Sequence, residues 1–368
     1  MSDAPQQPAG EAPPRAVRTR FGRLGELGGP FLGLAFVILV FSIIAEPQVR
    51  SQFLSLFNVK TVATQTVIVA LGALGMTIVI VGGGIDLSIG STVALASVVA
   101  AWVLQRDASW SWLAVAAGIL TGGLVGLVNG SLITGLRMVP FIVTLGMLGV
   151  ARGAAKWLAR NQKIDAPLTW VADLMVKEPS VPWLERLAAG LREGAPAWLG
   201  PLPRWAADGL EFLRLAPGVW VVLVLAVAVA LLLRRSVFGR HVVAVGSNEP
   251  TARLCGVRVE RVKLWMYLLS GLLTGLAGVM QFARLTVGDP TVAVGLELDV
   301  IAAVVIGGGS LSGGEGSVVG SLVGALIMAF LRYGCTMVGW PTYRQEIIIG
   351  VIIVVAVAID QLRHRVRP

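Results

Sequence analysis

Ten stretches of the chain are apolar and nearly free of charge, at about residues 30–45, 61–81, 87–104, 112–134, 139–158, 217–233, 262–282, 298–308, 317–331 and 343–359. A bilayer core roughly 30 Å thick takes about 20 such residues as a helix, because every backbone N–H and C=O must find its partner within the segment where water is absent. The pattern predicts an all-α polytopic membrane protein with about ten transmembrane helices. Only 14% of the residues are charged, whereas a soluble domain carries roughly a quarter, which excludes an ordinary soluble enzyme. The 45 glycines among 368 residues sit inside the apolar runs, where they suit close helix packing.

The net charge of +9 is distributed as a topology signal. Arg15, Arg18, Arg20 and Arg23 precede the first run, Arg363, Arg365 and Arg367 follow the last, and seven Lys or Arg lie between Arg234 and Lys263. With the N-terminal tail placed inside, fifteen of the thirty basic residues fall on the cytoplasmic side and six outside, leaving aside the long loop and two in the fifth span. Both termini are then cytoplasmic. Residues 1–29 read as a disordered cytoplasmic tail, rather than a cleaved signal peptide, because their polar part is too long for one. Residues 30–360 form the transmembrane domain and 361–368 a cytoplasmic tail. Residues 159–216 make one long external loop with Trp170, Trp183, Trp198 and Trp205. Stretches of that loop such as 181–192 are expected to form short helices on the membrane surface.

Several chemistries are absent from the sequence. Basic residues without a soluble, aromatic-interleaved patch give no reason to expect nucleic acid. There is no Gly-x-x-x-x-Gly-Lys-Ser/Thr phosphate loop, and Leu311-Ser312-Gly313-Gly314-Glu315, although close to an ATPase signature, lies between two apolar runs. His241 and His364 have no partners for a metal site or nucleophilic relay. Cys255 and Cys335 are expected in different loops, with neither disulfide nor zinc spacing.

Three segments stand out. In the first, 79–91, Gly82, Gly83 and Gly84 break a helix beside Asp86 and Ser88. An intramembrane carboxylate is costly unless hydrogen-bonded, hydrated or capping a helix, and Asp86 is placed to cap the run that follows. The second, 301–317, contains Gly307, Gly308, Gly309 and Ser310, follows Glu297 and Asp299, and echoes the first in composition. In the third, 239–257, Ser247 or Asn248 can cap, Pro250 suits a first turn and Gly256 can close, which predicts a two-turn helix from Asn248 to Cys255 within the coupling loop 234–262. So short a helix is marginal in water and calls for a surface to pack on.

These segments, with Asn129-Gly130, 140–146 and Pro341-Thr342-Tyr343 in the same order, resemble the permease subunits of monosaccharide ABC importers of the ribose, xylose and galactose group. The stretch 252–261 and the Pro-Thr-Tyr segment look nearest to the xylose type, although the external loop is shorter than that branch implies. The resemblance implies a homodimer in the bacterial inner membrane, a cytoplasmic ABC ATPase that uses the ATP, an extracytoplasmic sugar-binding protein, and no cofactor bound by the permease. It implies that Asn248, Glu249, Ala252, Arg253, Leu254 and Gly256 couple to the ATPase; because small interfaces concentrate their energy in a few buried side chains, Leu254 is the expected apolar anchor, with Glu249 and Arg253 at its rim. Gly83, Gly84, Asp86, Ser88, Asn129, Gly308, Gly309 and Ser310 are the corresponding candidates for the translocation pathway or its gate. The alternatives are a branched-chain amino acid permease and an ion-coupled secondary transporter.

Overall fold

The computed structural model describes residues 20–47, 50, 53, 55–176 and 214–366. Residues 1–19, and the helices expected at 181–192 with Trp183, Trp198 and Trp205, lie outside the described residues. The chain is a bundle of helices: α1 (Arg20–Ile44), α2 (Leu56–Val81), α3 (Ile89–Arg106), α4 (Ser111–Gly135), α5 (Pro140–Leu158), the short α6 (Trp170–Asp173), α7 (Pro217–Arg235), α8 (Val237–Ser247), α9 (Glu249–Leu254), α10 (Val259–Leu285), α11 (Leu296–Ile306), α12 (Val318–Met337) and α13 (Thr342–Val366). Two β residues on each side pair antiparallel, β1 (Ile164–Asp165) with β2 (Val287–Gly288).

Each expected apolar run falls in a helix, while the structure shows fewer than ten full-length spans among the described residues. Seven helices among the described residues are long and apolar enough to cross a membrane. The expected eighth span is α11, whose 11 residues reach only about 16 Å at 1.5 Å per residue, half a bilayer. α1 starts at Arg20, inside the segment expected as the N-terminal tail, and α13 runs through most of the expected C-terminal tail. Cys335 lies buried inside α12 rather than in a loop, and Cys255 is exposed at the end of α9.

α2 is the central helix. It is apolar all round and buried nearly all round, as a helix inside a bundle must be. α5 and α7 are also apolar along their length, with mean hydropathy 1.3 and 2.3, yet only 22% of the most apolar stretch of each is buried. Leu145 and Val150 on α5, and Val224, Val227 and Leu231 on α7, point outward. An apolar outer surface of this extent is stable against lipid tails rather than water.

Glycine sets the close contact between α4 and α10. Gly122 and Gly126 of α4 face Gly271 and Gly275 of α10, each pair four residues apart, so the two backbones touch. A Cβ at Gly126 would overlap the Tyr267 carbonyl oxygen and come within 3.0 Å of the Gly271 Cα. Gly126→Val is therefore expected to force α4 and α10 apart and cost about 1–3 kcal/mol, read as a lower melting temperature in detergent. Gly146→Val, in α5 where a Cβ meets nothing within 4 Å, is the control. Equal melting temperatures for the two variants would sink the packing argument.

The bundle has two functional ends. α10 leaves α9 at Val259 and extends 27 residues, about 40 Å, before β2 pairs with β1 at the start of the long loop. The short helix α9 and the long loop therefore lie at opposite ends. At the loop end, Lys163 lies 3.4 Å from Asp289. Partial burial pushes the Asp289 carboxyl up, but Thr291, through its side chain and backbone, and Lys163 hold it below its ordinary range.

Candidate functional site: two glycine stops and a short surface helix

The two glycine triplets have the same local structure. Gly83 has φ 77° and Gly308 has φ 89°, the left-handed region open to glycine. Gly83 N–H donates to the Ile80 carbonyl and Gly84 N–H to that of Val79; Gly308 and Gly309 donate in the same pattern to Val305 and Val304. Each triplet is thus a Schellman stop that satisfies the last carbonyls of its helix, α2 in one case and α11 in the other. The shared composition of the two breaks reflects this shared task.

Beyond the first stop, the chain builds a buried polar knot. Asp86 is fully enclosed; one oxygen accepts from the Ser88 backbone N–H at 2.9 Å and from the Ser88 hydroxyl at 2.6 Å. The expected cap needs correction here. α3 starts at Ile89 with Ser88 as its N-cap residue, so Asp86 closes a turn two residues before the cap. Asn129 Nδ2 donates to Ser88 Oγ at 3.0 Å, while its Oδ1 is buried without a partner among the described residues. The Ile85 carbonyl accepts from the Tyr267 hydroxyl at 3.3 Å and from Thr144 at 3.4 Å. α4, α5 and α10 thus hold the break by its polar atoms, which removes the cost of leaving them bare in hydrocarbon.

Of the expected pathway residues, Asp86, Ser88 and Asn129 come together in this knot. Gly83 and Gly84 lie on its approach, with Gly84 against the Tyr267 hydroxyl. Gly308, Gly309 and Ser310 do not join it. They turn the chain into the second break, where Ser310 N–H donates to the Glu315 carbonyl and Ser310 Oγ accepts from Ser312 N–H.

The sequence reading missed a set of intramembrane charges. Arg332 of α12 grips Asp299 of α11 with two bonds of 2.8 and 2.9 Å. Arg152 of α5 donates to the carbonyls of Pro290 and Val292 at 3.0 and 2.6 Å, which tethers the turn leading into α11. A Cβ at Gly90 would overlap Glu297 and the Ala293 carbonyl, so the first turns of α3 and α11 meet. Arg152 lies inside the apolar run 139–158 and Arg332 directly follows the run 317–331, and a cation so placed calls for a partner.

α9 forms as its sequence predicts. Asn248 Oδ1 accepts from Thr251 N–H at 2.9 Å, Pro250 occupies the first turn and Gly256 is left-handed with φ 83°. The preceding residues, expected only as loop, form the separate helix α8. Ala252 is buried against the body, whereas Leu254 is 88% exposed at the tip. Glu249 and Arg253 do not extend freely as rim residues. Lys263 Nζ donates to Glu249 at 2.6 Å, and Arg253 bonds both Glu249 and Glu260. These exposed pairs add little stability, but they orient α9 on the first turn of α10.

A family of transport proteins, described as the permease component of the branched-chain amino acid transport system, matches residues 58–357. The chain is 35% identical over 312 residues to the ribose import permease of Escherichia coli K12, covering 85% of this chain and 88% of that protein. It is 36% identical over 315 residues to the L-arabinose ABC transporter permease of Azospirillum brasilense, covering 86% and 83%. It is 34% identical over 331 residues to the fructose import permease of Rhizobium meliloti, covering 90% and 85%. No solved structure matches it. A match that spans the bundle from α2 to α13, including both glycine stops and the short helix between them, is a match of the whole transport body, and the chain therefore belongs to this ABC importer permease family.

Proposed function

We propose that this chain is the membrane-spanning subunit of an ATP-driven importer that carries a monosaccharide, with a pentose such as xylose favoured, into the cell. The observation that carries this reading is the position of α9. It is a short helix pinned to the body by Ala252, Glu249 and Arg253, with one large apolar side chain, Leu254, left pointing away from it. That arrangement suits a partner that pushes on the bundle. A cytoplasmic ABC ATPase would supply the ATP chemistry that the sequence lacks, so the permease binds no cofactor of its own. Two copies form the pathway, both termini are cytoplasmic, and a sugar-binding protein docks at the end that bears the long loop.

The sugar class rests on the relatives, whose names carry ribose, L-arabinose and fructose, although the family description itself speaks of branched-chain amino acids. The preference for xylose rests on the stretch 252–261 and on Pro341-Thr342-Tyr343. Asp86, Ser88 and Asn129 form the gate, and Asp86 acts by hydrogen bonding rather than by carrying protons.

The test is uptake into proteoliposomes that hold the permease and ATPase, with binding protein and labelled xylose, ribose or leucine outside. Uptake of a pentose that needs internal ATP and survives collapse of the proton gradient is the expected result. Asp86→Asn should keep most of the uptake, because an amide oxygen still accepts from Ser88, while Asp86→Leu should lose it. Uptake of leucine in place of sugars would favour the amino acid branch. A proton-gradient requirement, together with an inactive Asp86→Asn, would overturn the ATP-driven reading.

A further inference from the structure

Three segments far apart in sequence meet backbone to backbone immediately before α9. Gly246, in the last turn of α8, is packed so closely that a Cβ there would overlap the Val81 carbonyl oxygen and come within 2.7 Å of the Gly314 nitrogen. Gly314 N–H donates to the same Val81 carbonyl at 2.8 Å, which ties the second glycine break to the last residue of α2. A Cβ at Gly313 would lie 3.0 Å from the Gly83 Cα, and one at Gly314 would overlap the Ser247 hydroxyl and lie 3.2 Å from the Ser247 Cβ. Beneath this junction, Val242 and Val245 of α8, Ala252 of α9, Ile78 and Val81 of α2 and Val318 of α12 share one apolar cluster. The contact is therefore seamless from the surface helix to both breaks.

We propose that Gly83, Gly246 and Gly313–Gly314 form a rigid backbone junction that makes the segment α8–α9 move as one body with the end of α2 and the turn between α11 and α12. A close-packed contact transmits a small displacement because its atoms have no room to slide. Motion of α9 then acts on two elements directly. Through Val81 and Gly83 it pulls on the loop that ends in Asp86 and Ser88, and through Gly313 and Gly314 it pulls on the loop that closes α11. The proposal rests on the reading of α9 as the ATPase-docking helix for the source of the motion, and it concerns the separate question of where that motion goes.

Two measurements test it. Gly246→Ala adds one methyl where no space exists; ATPase co-purification should stay at the parent level, while sugar transported per ATP hydrolysed falls by about tenfold, within the usual range of site-to-site coupling. Full transport per ATP in Gly246→Ala would overturn the junction. The second measurement does not depend on that variant folding. In a chain with Cys255→Ser and Cys335→Ala, cysteines are placed by Ser247→Cys and Glu315→Cys and joined by a short thiol cross-linker. If the junction moves as one body, the cross-linked transporter keeps at least about half of its uptake. If α8–α9 instead moves away from the second break during the cycle, the cross-link stops uptake that the unlinked protein still performs, and the proposal fails. Loss of ATPase capture in Gly246→Ala would overturn the separation of the junction from the docking surface, whereas the docking reading itself fails only if a folded Leu254→Asp protein captures the ATPase in full.

Discussion

Leu254→Asp is expected to uncouple the permease from its ATPase without disturbing the bundle. Leu254 touches nothing that the fold needs, being 88% exposed at the tip of α9, so a charge there leaves Ala252, the Asn248 cap and the Glu249–Lys263 bond in place. Small interfaces concentrate their energy in one or two desolvated side chains, and a carboxylate in such a pocket costs about 2 kcal/mol or more, roughly a thirtyfold loss of affinity. Co-purification of the ATPase should fall accordingly, and stimulation of ATP hydrolysis by sugar-loaded binding protein should disappear, while the melting temperature of the isolated permease stays at the parent value. Leu254→Met, which keeps the apolar tip, should behave as the parent. A correctly folded Leu254→Asp protein that captures the ATPase in full would assign α9 elsewhere, with the inner leaflet as the surface it lies on.

The second large effect is expected at the pair joining α11 to α12. Asp299 is almost wholly buried and receives both bonds of the Arg332 fork. Arg332→Ala leaves a buried carboxylate with no partner, a loss of roughly 3–5 kcal/mol. In detergent this should lower the melting temperature by about 5 °C or more. Asp299→Leu combined with Arg332→Leu removes both charges and should recover much of that loss, since a buried ion pair is weak evidence of net stability while a broken one is costly. If Arg332→Ala melts with the parent, the pair is not what holds the half-length α11 against α12. Their backbone contact at Gly307 and Gly320 is then the main restraint.

The sequence by itself determined the elements whose physics is local. Long apolar runs had to become helices, because a backbone in lipid can satisfy its hydrogen bonds only within its own segment. α9 was legible to the residue, since Asn248, Pro250 and Gly256 each act on neighbours within a few positions. The glycine triplets could be read as stops for the same reason. The tertiary structure alone decided which distant groups meet. Asp86 carried the signal of a cap, but the chain placed α3 two residues further on and assigned the carboxylate to Ser88, within reach of Asn129, itself fixed by the α4 and α10 glycines. Glu249 and Arg253 looked free for a partner, and only the docking of α9 on α10 brought Lys263 and Glu260 to them. α11 was counted as a span although its apolar run, 298–308, is itself only 11 residues long, so its shortness was legible in the sequence. Gly83, Gly246 and Gly314 lie far apart in sequence, and no period or spacing links them. They meet because only residues without a Cβ allow three backbones to share that space.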